Sequence, residues 1–298
     1  MPDCAIHTID LNFLSTPHAI ASFAVLGPNG ATIIETGPSS TLPALLEGLQ
    51  ALGVRPADVR DVLVTHIHLD HGGAAGWWAQ RGARVHVHHI GAPHLMHPSK
   101  LLASARRIYG DQMDPLWGEF LAAPPERVRA LHDGDVVEAG GLKFLALDTP
   151  GHARHHMLYQ LGEAAFTGDL AGIRLSGRAY VRLPAPPPEF DLEAWLASIA
   201  RVRARKLSRL YLTHFGLVDE VDAHWSRVET LLAEYAQRVR DDLARGAGRD
   251  AIVARFGEWE EARQAADGLD AQARALYAGV GPVDMSVDGL LRYWSKRL

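Results

Sequence analysis

The 298-residue chain is predicted to be an α/β protein in which two sheets pack face to face with helices outside. Three observations point there. Short strand-like runs alternate with helical ones through the first half. Strand patterning then resumes after a helical interruption, giving two strand-rich halves that each carry helices on one side. With 47% hydrophobic and 22% charged residues, the chain also has the composition of an ordinary globular protein with material for a sizeable core.

Taken in order, "IHTIDLNF" and "AIASFAVLG" read as strands, "PNGA" as a turn and "TIIETG" as a strand ended by Gly37, with a helix over Pro43 to Leu52. "RDVLVTH" restores a strand at Asp61 to Val64, "GGAAGWWAQRG" reads as a short helix, and "ARVHVHHIG" alternates with period two. Ala92 to Pro125 is helical and irregular, a lid or a wall, with "LLASARRIYG" and "MDPLWGEFLA" as short helices. Strands follow at "RVRAL", "DVVEAG", "LKFLAL", "MLYQL" and "AAFTG". The proline-rich "LPAPPPEFD" leads to Asp191, which is placed to cap the helix "LEAWLASIARVRAR", and "RLYLTH" is the next strand. After Gly216 the pattern changes: Val221, Trp225, Val228, Leu232, Tyr235 and Val239 mark the apolar stripe of a long helix, and helical sequence continues to the end. A strand-rich domain over 1–216 and a helical region over 217–298 are therefore expected. Its aromatic residues, in the Trp225 helix and in "MSVDGLLRYWSKRL", are expected to support a homodimer.

Composition excludes several function classes. A net charge of -5 gives no global attraction to nucleic acid or anionic membrane. The single cysteine, Cys4, excludes an intrachain disulfide framework and a thiolate metal site, and a reducing cytoplasm is expected. "MPDCAIHTIDLNFL" does not read as a signal peptide, and no apolar run of about 18 residues suggests a membrane span. The 16 histidines stand out, because imidazole is the commonest metal ligand.

In "VTHIHLDHGG" three histidines and an aspartate, His66, His68, Asp70 and His71, lie at the end of a strand. Alternating side chains of a loop leaving a strand can point the same way, so His66 and His68 can share one metal while Asp70 and His71 face a second position. Further ligand types sit where other strands give way to turns: His152 in "DTPGHA", Asp169 in "FTGDL" and His214 in "YLTHFG". Seven donors from four loops can converge on one sheet edge.

These motifs, T-H-x-H-x-D-H, P-G-H, G-D and T-H in this order over roughly Ile6 to Gly216, resemble the metallo-β-lactamase superfamily. The resemblance implies a four-layer αβ/βα sandwich. It implies that His66, His68 and His152 bind a first metal, that Asp70, His71 and His214 bind a second, and that Asp169 bridges them. Glu35, where the family has aspartate, and Thr65 would orient ligands. Two divalent ions are implied, zinc with iron or manganese as alternatives, with Asp70 orienting a metal-bridging hydroxide that attacks an ester, thioester, lactone or phosphodiester of a small molecule.

Family details narrow this further. Zinc β-lactamases carry cysteine or serine at the position of Asp169, so β-lactams are not the expected substrate. Flavin-diiron reductases carry glutamate at the position of His68 and append a flavodoxin domain, and this chain does neither. The wider arrangement is most similar to hydrolases near the glyoxalase II branch. The alternative is a mononuclear iron enzyme resembling persulfide dioxygenases, with His66, His152 and Asp169 as its ligands. His156, Arg174 and Tyr180 are the candidates for substrate contact, with Arg178 and Arg182 on the same loop, whereas His86, His88 and His89 are expected to pack.

Overall fold

The computed structural model describes residues 4–175 and 179–297, and Arg178 lies outside them. Twelve strands form two sheets of six. The first comprises β1 (Ala5–Asp10), β2 (Ala21–Gly27), β3 (Gly30–Ile34), β4 (Asp61–Leu63), β5 (Arg84–His88) and β6 (Val128–Leu131), in that spatial order. β1 to β3 run antiparallel, and β3 to β6 run parallel through helical crossovers. The second sheet has the order β12 (Gly216–Val218), β11 (Arg209–Leu212), β10 (Ala164–Gly168), β9 (Met157–Leu161), β8 (Leu142–Asp148), β7 (Val136–Ala139), with β10 and β11 parallel.

Side-chain alternation makes the four layers. Ile34 and Leu63 point from the first sheet into the space between the sheets, against Phe144, Tyr159 and Phe166 of the second. Their chain neighbours Ile33 and Val62 point outward and are covered by α1 (Leu42–Ala51) through Leu45 and Leu49, and by α3 (Ala75–Gln80) through Trp78. On the second sheet Leu147, Leu158 and Ala165 point outward against Trp195 and Ile199 of α7 (Leu192–Arg203) and the apolar stripe of α8 (Val221–Ala244). The expected α/β sandwich is therefore present, and α7 is capped as expected, with Asp191 Oδ1 accepting the Ala194 N–H at 3.0 Å.

Several local expectations shift. β3 stops at Ile34 because Glu35 turns the backbone into the left-handed region, at φ 64°. β1 stops at Asp10, before Asn12 at φ 47°. β12 has no counterpart in the strand pattern of the sequence: it crosses the composition change at Gly216 and pairs antiparallel with β11, extending the second sheet. α8 packs on the second sheet as an outer layer of the sandwich. It is followed by α9 (Arg249–Ala266), α10 (Ala271–Gly279) and α11 (Val283–Trp294). The aromatic residues that suggest a homodimer are covered within the chain: Trp225 and Tyr293 are buried, and the Trp294 indole donates to the Ala236 carbonyl at 2.9 Å. Among the described residues no helix is long and apolar enough to cross a membrane.

The irregular segment after β5 folds into α4 (Ala92–Met96), α5 (Ser99–Tyr109) and α6 (Met113–Trp117). α5 and α6 pack over Leu69, which follows β4, and α4 packs through Ala92 and Leu95 on the outer face of the first sheet.

Candidate metal centre

Each candidate ligand lies just past the carboxyl end of a strand: His66 after β4, His152 after β8, Asp169 after β10 and His214 after β11. In the loop after β4 the apolar residues do the anchoring. Ile67 is buried under the first sheet's helices and Leu69 under α5 and α6, which leaves His66, His68 and Asp70 to face the cleft. The one-turn helix α2 (Leu69–Gly72) then presents Asp70 and His71 side by side. Gly168, at φ 49°, lets the second sheet close on this loop, since a Cβ there would lie 2.5 Å from Thr65 Oγ1 and 2.6 Å from His156 Nε2.

The donors converge in two groups, His66, His68, His152 and Asp169 in one and Asp70, His71 and His214 in the other, with donor atoms within 4.8 Å of one another in each. In the first, His68 Nδ1 lies 2.9 Å from both His66 Nε2 and His152 Nε2. In the second, His214 Nε2 lies 3.4 Å from Asp70 Oδ2. Asp169 reaches both groups with different oxygens: Oδ2 is 3.2 Å from His152 Nε2, whereas Oδ1 is 3.3 Å from His71 Nε2 and 3.5 Å from His214 Nε2.

Hydrogen bonds on the far side of each ring assign its tautomer. The Thr65 hydroxyl donates to Glu35 Oε1 at 2.5 Å, so its oxygen accepts from His66 Nδ1 at 3.1 Å. His71 Nδ1 donates to Glu35 Oε1 at 3.1 Å, His152 Nδ1 to the Pro184 carbonyl at 2.8 Å and His214 Nδ1 to the Ala19 carbonyl at 2.8 Å. In all four rings Nε2 therefore points into the cluster, with its lone pair free there whenever the imidazole is neutral. His71 Nε2 and Asp169 Oδ1 are buried without a hydrogen-bond partner among the described residues. Facing lone pairs and orphaned buried ligand atoms suit a cation, and an all-nitrogen-and-oxygen donor set suits a divalent metal of zinc type.

The two groups differ electrostatically. Burial, then repulsion from neighbouring rings, holds His66 well below the ordinary imidazole value, and the same effects push His68 down to about 3. His152 is also lowered by burial, against the pull of Asp169. For His71 burial acts in the same direction but is outweighed by Asp169, Asp70 and Glu35, which raise it. His214 is likewise raised by Asp70 and Asp169 in spite of burial.

Glu35 is fully buried, and its contacts are now defined. Besides His71 and Thr65 Oγ1, it accepts from the Thr65 backbone N–H and from the Thr213 hydroxyl, both at 3.3 Å. One carboxylate thus ties together the β3 turn, the loop after β4 and the residue preceding His214.

The expected substrate contacts lie elsewhere. His156 is fully buried, with Nδ1 at 2.8 Å from the Thr149 hydroxyl and Nε2 accepting the Asp169 N–H at 3.1 Å, so both nitrogens are committed to holding the loops. Tyr180 is 1% exposed and donates to Glu260. Arg174 is buried, with Nη2 at 2.5 Å from Glu220 Oε1, and Arg182 donates to the Tyr277 carbonyl at 2.5 Å. His86 pairs with Asp61 at 2.8 Å, and His89 stacks between His88 and His132, as packing predicts.

Sequence reasoning missed Tyr109. It closes α5, packs with Leu69 and Trp117, and its phenol is raised by burial and then by the charge of Asp70. A signal existed, since Leu101, Ala105 and Tyr109 recur every four residues and mark one face of that helix.

Comparison with known proteins agrees with this geometry. The model of the metallo-β-lactamase superfamily matches residues 15–214. A metallo-β-lactamase fold-containing protein of Sulfurisphaera tokodaii is 28% identical over 222 residues, covering 73% of this chain and 81% of its own. A hydroxyacylglutathione hydrolase of Fuscovulum blasticum is 28% identical over 260 residues, covering 85% and 79%. Among solved structures, a metallo-β-lactamase family protein of Thermus thermophilus shares the fold with a TM-score of 0.68 at 20% identity, covering 100% of this chain and 94% of that one.

Proposed function

This chain belongs to the metallo-β-lactamase superfamily and is a metal-dependent hydrolase of it, and from that premise we propose a dinuclear site that cleaves an ester, thioester, lactone or phosphodiester of a small molecule. The observation that carries the reading is Asp169, whose two oxygens face two separate donor groups. His66, His68 and His152 would hold one ion, Asp70, His71 and His214 the other, with Asp169 between them. Two divalent ions, zinc with iron or manganese as alternatives, supply Lewis acidity and water activation at neutral pH when bound.

The chain's own residues do the rest. Burial keeps His66, His68 and His152 neutral, so their lone pairs stay available. Glu35 fixes the rings of His71 and, through Thr65, His66. Asp70 is held below the ordinary carboxylate range by His71 and His214, against the effect of burial. About a quarter of its side chain stays exposed to the cleft. As an anion it would orient the attacking water, and it would relay that water's proton toward the leaving group. Tyr109, partly exposed beside Asp70, replaces His156, Arg174 and Tyr180 as the candidate contact to substrate. Relatives named hydroxyacylglutathione hydrolase, at 28% and 29% identity, favour a thioester within this class.

The persulfide dioxygenase alternative would need only the first donor group. An intact Asp70, His71 and His214 set favours the hydrolase. Metal content per chain, measured on protein purified without added metal, tests the reading together with a panel of thioesters, esters, lactones and phosphodiesters. Near two equivalents with hydrolysis of a panel member is expected. One equivalent of iron with oxygen consumption on a persulfide would overturn it.

A further inference from the structure

The C-terminal helices reach the metal centre through one backbone segment. His152 Nδ1 is oriented by the Pro184 carbonyl at 2.8 Å. Pro184 has no N–H of its own, so the position of that carbonyl depends on its neighbours, Leu183 and Ala185. Both are 1% exposed, and both are held by helices that contribute no donor to the cluster. The Ser286 hydroxyl of α11 donates to the Leu183 carbonyl at 3.3 Å and accepts the Ala185 N–H at 3.4 Å, bracketing Pro184 from both sides. The Tyr235 hydroxyl of α8 accepts the Leu183 N–H at 3.5 Å. Gly289, one turn along α11 from Ser286, lets the helix backbone press on the same segment, since a Cβ there would lie 1.9 Å from the Ala185 carbonyl oxygen.

We propose that α11 is a positioning element of the metal centre, with Ser286 and Gly289 fixing the Leu183–Ala185 segment so that the Pro184 carbonyl sets the ring of His152. This rests on the reading of His152 as a metal ligand. Ser286 and Gly289 act through the loop and touch neither substrate nor metal. The imidazole is aimed by a single carbonyl, and partners that orient metal-bound histidines typically govern affinity by about 10- to 100-fold. Ser286 acts one step further out, so a smaller effect follows. Gly289 allows no side chain without moving the segment, so a larger one follows there. The helical tail thereby has a task in the chemistry besides covering the second sheet.

The test is zinc affinity of the metal-free full chain, by competition with a chromophoric chelator, together with the visible spectrum of the cobalt-loaded protein. Ser286→Ala is expected to weaken one of the two equivalents by about three- to tenfold, and Gly289→Ala by about 10- to 100-fold, while the other equivalent is unchanged. The cobalt spectrum should shift in both. Ser286→Thr, which keeps the hydroxyl, should restore affinity, and Arg292→Ala, on the same helix, should leave it alone. Ser286→Ala removes only a hydroxyl and serves as the measure if Gly289→Ala does not fold. Wild-type affinity and spectrum in folded Ser286→Ala would overturn the proposal. So would equal weakening of both equivalents in step with lost thermal stability. A wild-type chain that binds no metal would overturn the reading of His152 itself, whereas normal wild-type loading with unaffected variants would overturn only the role of α11.

Discussion

The two halves of the sandwich supply the metal centre in different ways. The first half gives four donors from one loop, His66 to His71, and one carboxylate supports two of them: Glu35, at the end of the neighbouring strand, reaches His71 directly and His66 through Thr65. The second half gives three donors from three loops, and each has a support of its own. His152 depends on the Pro184 carbonyl, His214 on the Ala19 carbonyl of the opposite half, and the Asp169 backbone on His156. A contiguous motif can share one support, whereas scattered ligands each need their own.

Asp169 is where this contrast breaks down, because it is the one side chain reaching both donor groups. Asp169→Ala is expected to have the largest effect of any substitution: hydrolysis falls to background, and both equivalents weaken by plasma mass spectrometry of the dialysed protein. Retention of two tightly held ions would remove the bridging role. Asp70→Asn should come next, with turnover reduced by about 10²- to 10⁴-fold even when assayed with metal in excess to offset a weakened second ion, since the amide cannot take up the proton. Unchanged turnover with metal retained would assign the proton transfer to another group.

Acid should weaken the supports of the second half. His224 on α8 is fully buried and its Nε2 donates to the carbonyl of Ala171, two residues past Asp169. Burial pushes it down to about 4, in spite of that hydrogen bond. In the unfolded chain an ordinary imidazole titrates near 6.5. Between these values the unfolded state binds a proton that the folded state does not, so stability is undiminished above about pH 6.5 and falls as pH drops toward 4. The loss amounts to about 3 kcal/mol for this group. Denaturant unfolding of the metal-free protein at a series of pH values checks it: His224→Gln, which keeps a donor and does not titrate, should flatten the slope by about one proton. An unchanged slope would assign the acid sensitivity to other residues.

The shared support of the first half has its own test. Glu35→Gln should lower metal affinity by about 10- to 100-fold, because the negative charge behind His71 is lost and the amide nitrogen in place of Oε2 cannot accept from the Thr65 backbone N–H. Chelator competition would show it, and wild-type affinity would make Glu35 a packing residue only.

The same contrast explains what can be read from the sequence. The α/β sandwich is legible because alternating runs such as "LKFLAL" carry their periodicity locally, and the donor loop is legible because its ligands are neighbours in the chain. β12 is three residues long, too short to show a period. The Pro184 carbonyl, Ser286 and Ala19 act through backbone atoms or single hydrogen bonds across tens of residues, and nothing in residue type announces a carbonyl's partner. His156, Arg174 and Tyr180 mislead for a related reason: proximity to a ligand in sequence does not tell whether a side chain turns toward the cleft or into the packing behind it.

Tyr109 gives the smallest effect and the finest distinction between the halves. It comes from the α5–α6 wall that sits on Leu69, so it belongs to the first half's side of the cleft, beside Asp70. Its phenol stays protonated throughout the working pH range, since burial and the nearby Asp70 charge both oppose ionisation. It can therefore offer a hydrogen-bond donor to a substrate oxygen. A net hydrogen bond is worth about 0.5 to 1.5 kcal/mol, so Tyr109→Phe should raise KM or lower kcat/KM by about three- to tenfold while metal content and kcat change little. A loss of kcat at constant KM would instead place the phenol at the transition state. No change in either would mean that the wall shapes the cleft through Trp117 and Leu69 alone, and that specificity is set from the second half.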